Sequence, residues 1–142
     1  MAEIHRVLES FPPKLNGLNN ESKENRKVVA EATFSDIPDV FFDEILHRYH
    51  LKRHEIQVLL FFYRQVWCRP NLYKKYGISS LNSLDKVAEF LGMEVGTLFQ
   101  GLKNLENYEF ISTIRSGQYF VRRYFSPELD EKFRQDYDEF TD

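Results

Sequence analysis

A single cysteine, Cys68, in 142 residues excludes an internal disulfide framework and any metal site built from several thiolates. That lone thiol reads as a small apolar filler on a helix. No stretch approaches the roughly 20 uninterrupted apolar residues of a membrane helix, because the run 58–63 soon meets Arg64, Gln65 and Arg69. The N-terminal MAEIHRVLES lacks a basic start followed by an apolar core, so the expected setting is cytoplasmic, with no membrane partner. With only 6 glycines and 4 histidines, the chain shows no nucleophile elbow, phosphate-binding glycine loop or His-Glu metal motif. Neither catalysis nor a cofactor is expected. His47, His50 and His54 stand three and four apart, but the junction 51–53 interrupts the helix that would align them, so no metal site is expected either.

What the chain does have is an ordinary balance for one globular domain, 42% hydrophobic and 29% charged, with an unusually large aromatic share of 15%. The net charge of −3 conceals an uneven distribution. Residues 1–36 carry 5 basic and 6 acidic groups, residues 37–125 carry 12 and 9, and residues 126–142 carry 2 and 7. A mildly basic body therefore ends in an acidic tail, and only the body is a candidate surface for nucleic acid.

Three segments follow from the patterning. Residues 1–33 combine an FPP turn, NGLNN and ESKENRK with few large apolar anchors, and are expected to form a mobile arm. Residues 34–125 form the expected domain. Its first helix is placed at about 38–49, with Ser35 or Asp36 as cap and Pro38 in the first turn. A second, central helix carries Ile56, Leu59, Leu60, Tyr63 and Trp67 and ends at Pro70. Residues 126–142 form an acidic amphipathic segment, in which Leu129, Phe133, Tyr137 and Phe140 predict a terminal helix.

The most informative stretch is SLDKVAEFLGMEVGTLFQGLKNLENYEFI. Ser83 is a good cap for a short helix that Gly92 stops, and a second helix opens at Glu94 with Leu98, Leu102 and Leu105 along one stripe. Two short helices joined by a glycine turn make a helix-turn-helix. FISTIRSGQYFVRRYF then holds two runs of β-branched and aromatic residues around Ser116, Gly117 and Gln118, a hairpin signal. The expected fold is mainly α with a small β-wing, a winged helix-turn-helix.

On FSDIPDVFFDEIL, EIQVLLFFYRQVW and LGMEVGTLFQGLKNLENYEFI, residues 34–112 resemble the winged-helix domains at the N-termini of phage replication proteins of the O type. They are more loosely similar to the N-terminal domain of DnaD-like replication proteins. The resemblance implies a bacterial or phage protein of replication initiation or transcriptional regulation, with DNA-reading positions at Glu94, Val95, Gly96, Thr97, Phe99, Gln100, Lys103 and Asn104. Relatives place several arginines, serines or threonines there. In this chain Thr97, Gln100, Lys103 and Asn104 are the residues able to offer hydrogen bonds without an acidic charge.

Gln100 and Asn104 sit one helical turn apart and can pair with base edges, while Lys103 can hold a phosphate. Arg115, Arg122 and Arg123 are expected to flank the hairpin turn and follow the DNA backbone, with Lys74 and Lys75 as candidate further backbone contacts. Double-stranded DNA is thus the first expected partner. The alternative is a protein-protein interaction module for the replication or transcription machinery, using Phe99, Tyr119, Phe120, Tyr124, Phe133 or Tyr137, and a homodimer is compatible with both.

Overall fold

A computed structural model describes residues 31–141. Of these, residues from Ser35 on belong to one compact unit, Ser35–Asp142. The arm expected over 1–33 lies, apart from residues 31–33, outside the described residues. Ser35–Asp142 is mainly helical with a small two-stranded antiparallel sheet.

The first helix, α1, begins later than its sequence signals suggest. Phe41 N–H donates to the Pro38 carbonyl at 3.0 Å, and Phe42 and Asp43 both donate to the Asp39 carbonyl. From there a π-helical stretch, Phe41–Ile45, runs into an α-turn, Leu46–Arg48, with no side-chain cap from Ser35 or Asp36. The wide turn keeps Phe41 and Ile45 together on the buried side, and His50, at φ 51°, ends the run.

Helix α2 comprises Arg53–Tyr63 and a π-helical continuation, Arg64–Cys68. It is the central helix, burying Val58, Leu59, Phe62, Tyr63 and Val66. A 3-10 turn at Lys74–Tyr76 closes on Gly77 in the left-handed region.

Helix α3, Leu84–Leu91, starts where Ser83 Oγ accepts from Lys86 N–H and stops at Gly92, at φ 71°. Helix α4, Val95–Asn107, buries Leu98, Gly101, Leu102 and Leu105. Gly101 brings α4 close to α2: a Cβ there would stand 3.3 Å from both His54 Cδ2 and Val58 Cγ2.

Strands β1, Ile111–Arg115, and β2, Gln118–Val121, pair with Ile111 opposite Val121 and Arg115 opposite Gln118, with a register irregularity between Thr113 and Arg115. The segment before α3 runs along the free side of β2. Ile78 forms an isolated bridge with Phe120, Ser79 N–H donates to the Tyr119 carbonyl at 2.9 Å, and Val121 N–H donates to the Gly77 carbonyl at 2.7 Å.

The terminal helix is shorter than predicted. Helix α5, Pro127–Lys132, is capped by Ser126 Oγ accepting from Leu129 N–H, and Arg134, at φ 59°, then reverses the chain. The reversal returns Tyr137 to Asp130, where its hydroxyl donates to Oδ2 at 2.6 Å. Leu129 joins the core cluster, so the segment after residue 125 is packed on the body rather than appended to it.

Among the described glycines, Gly117 has the least room for a side chain. Its φ is 91°, and a Cβ would lie 2.2 Å from the Asn82 carbonyl oxygen. Replacing Gly117 with Ala is expected to destabilise the domain by about 2–3 kcal/mol, read as a lower denaturation midpoint with an unchanged denaturant slope.

Candidate nucleic-acid interface

Helix α4 turns its apolar stripe inward, which leaves Thr97, Gln100 and Lys103 exposed, with Phe99 51% exposed beside them. Asn104 is half-buried, and its Nδ2 donates to Glu55 Oε2 at 2.7 Å. Its Oδ1 accepts from Gln100 Nε2 at 3.0 Å. Glu55 is only 1% exposed, and its other oxygen, Oε1, accepts from Lys52 N–H at 2.9 Å, capping α2. Both Glu55 oxygens are thus satisfied, as a buried carboxylate requires. Asn104 is committed to this network, so of the two amides expected to read bases Gln100 is the one left exposed.

The same network brings the start of α2 against the middle of α4. Lys52 and Arg53 are exposed there, at the end of α2 that Glu55 joins to Asn104 of α4. Sequence reasoning missed this pair. The available signal was LKRH immediately ahead of the helical periodicity of α2, where basic residues otherwise oppose the helix dipole. Among the three histidines, His50 occupies a left-handed turn and His54 lies against Gly101, and no group able to hold a metal occurs among the described residues.

The expectation that three arginines flank the hairpin turn needs correction. Arg115 ends β1 beside the Ser116–Gly117 turn and is exposed. Arg122 and Arg123 follow the end of β2, at the opposite end of the hairpin. Arg122 Nε donates to the Glu109 carbonyl at 2.9 Å, and Nη1 reaches Asp130 Oδ2 at 3.2 Å. Arg123 places its guanidinium 5.5 Å from the Trp67 ring centroid. Arg122 is thereby tied to the fold through Asp130, whereas Arg123 is exposed and its backbone N–H donates to the Tyr137 hydroxyl. Lys74 and Lys75 are exposed, but Asp138 N–H donates to the Lys75 carbonyl at 3.1 Å, so the acidic tail runs beside them.

The expected aromatic interface also divides. Tyr119 is not a surface residue: it is 3% exposed, its ring lies 5.0 Å from Phe62, and its hydroxyl accepts from Gly117 N–H. The alternation of β2 turns it toward α2. Tyr137 is held by Asp130, by Arg123 N–H at 2.8 Å and by the Phe120 ring at 4.8 Å. Phe133 stays substantially exposed against Tyr124, as does Phe99. Phe90 was not anticipated and is 65% exposed, edging a groove with Leu60, Phe61 and Leu91.

Burial, and then the hydrogen bond to Asp130, holds the Tyr137 hydroxyl well above the ordinary phenol range, and burial does the same for Tyr63. Because the unfolded phenols ionise first, their contribution to stability is complete below about pH 10 and declines as pH rises beyond it. Tyr137→Phe is therefore expected to lower stability by about 1–2 kcal/mol at pH 7, and to show a smaller further loss than the parent between pH 9 and 11, both measured by denaturant titration. No family model, curated protein or solved structure was found to match the chain.

Proposed function

We propose that the domain is a winged helix-turn-helix that binds double-stranded DNA, with α4 as the helix entering the major groove. The single observation that carries this reading is the exposed polar face of α4, Thr97, Gln100 and Lys103, on a helix that Asn104 and Glu55 join to the start of α2, where Lys52 and Arg53 are also exposed. The order of α2, the 77–79 edge, α3, α4 and the hairpin supports it, since this is the arrangement that presents a helix beside a wing. Lys52, Arg53, Lys103 and Arg115 supply phosphate contacts, and Gln100 supplies the base-edge contact. In this reading the protein acts in replication initiation or transcriptional regulation of a bacterium or phage.

A second reading has its own support. Phe90 and Phe99 expose large aromatic surfaces on the two helices of the pair, which suits docking of a replication or transcription protein.

Titration of duplex DNA across salt concentrations separates the two. Three to five cations at the interface give an expected log-log slope of about −3 to −4.5, and replacing Lys52, Arg53 and Lys103 with Ala should reduce it by about 0.9 per residue while weakening binding on every sequence. Arg122→Ala should leave the slope unchanged. Absence of duplex binding at low salt would remove the DNA reading and leave the protein-docking one.

A further inference from the structure

We infer that the buried Glu55 determines which base Gln100 reads, by fixing the direction of two side-chain amides in series; this rests on the duplex-DNA reading above. An ionised carboxylate has no hydrogen to give, so Asn104 has to turn its NH2 group toward Glu55. Its carbonyl oxygen then points away from the core and takes one N–H of Gln100. Gln100 is left with a free carbonyl oxygen and one free N–H on the exposed face of α4. An acceptor beside a donor matches the major-groove edge of adenine, which offers the N6 amino group and N7. Guanine presents two acceptors, N7 and O6, and would set O6 against the Gln100 carbonyl oxygen. The direction of the exposed amide is thus dictated by a residue that no nucleic acid can touch.

Glu55→Gln changes the polarity with almost no change of shape. The new side chain keeps its oxygen on Lys52 N–H, because that backbone donor needs an acceptor. Its NH2 group then faces Asn104, which must present its oxygen inward and its NH2 outward. Gln100 answers by turning its oxygen to Asn104 and its NH2 to solvent. Two outward N–H groups fit guanine. A carboxylate that served only to clamp α2 to α4 would, when replaced, change stability and leave base preference where it was.

Enrichment of a random duplex pool on the full chain at low salt, followed by sequencing, tests this. The parent should favour adenine over guanine by about tenfold at one position, Glu55→Gln should favour guanine at that same position, and Asn104→Ala should show neither preference because Gln100 is then free to turn. Adenine retained by Glu55→Gln, or a parent that binds duplexes without preferring adenine, overturns the inference while leaving DNA binding intact. If the parent retains no duplex, the DNA reading fails and takes the inference with it. Should Glu55→Gln fail to fold, Asn104→Ala decides: an undiminished adenine preference there is equally fatal.

Discussion

A carboxylate removed from water has to be surrounded by donors, and the way this chain satisfies Asp130 governs the arrangement of the segment that follows the hairpin. Asp130 is 4% exposed and receives Tyr124 N–H, Tyr137 Oη–H and Arg122 Nη1. Meeting those three donors at once dictates the left-handed turn at Arg134, the return of the tail, and the seat of Phe125 against Tyr63, with ring centroids 5.0 Å apart. It also draws Arg122 into a half-buried position against the body. Removing any one donor leaves a buried charge short of a partner, which costs more than the lost bond alone.

Glu55 solves the same problem elsewhere, with a different result. Its donors come from the start of α2 and from α4, so the satisfied carboxylate doubles as the joint between the two helices. Gly101 permits that joint, because any side chain there would meet His54 and Val58. Close approach and polar satisfaction are one local solution: helices held further apart would leave Glu55 and Asn104 unable to reach each other.

Periodicity made the helices legible in the sequence, and glycine made their ends legible. Leu98, Leu102 and Leu105 face the core as their spacing requires, Ser83 caps α3, and Gly92 and Gly117 turn where only a missing Cβ is comfortable. The start of α1 and the end of α5 were misjudged because hydrophobic spacing carries no information about a π-turn or about a tyrosine recruited seven residues away. The candidate site was legible on α4, where the face is set by the helix itself. It was illegible wherever a polar partner came from a distant part of the chain: Asn104 meets Glu55 across 49 residues and Tyr63 meets the Arg123 carbonyl across 60. Arg122 looks like a surface charge in one dimension, and becomes structural only once Asp130 is beside it, while Arg123 stays exposed against the Trp67 ring.

The hairpin tip has little room to move. The Gly117 carbonyl accepts from both the backbone and the side chain of Asn82, and Asn82 in turn exchanges two amide hydrogen bonds with Gln65 on α2. A hairpin tethered in this way forfeits almost no conformational freedom when something settles against it. The adjustment in any complex would then fall on the ligand. A partner surface that had to bend to the hairpin would bear the cost of its own deformation.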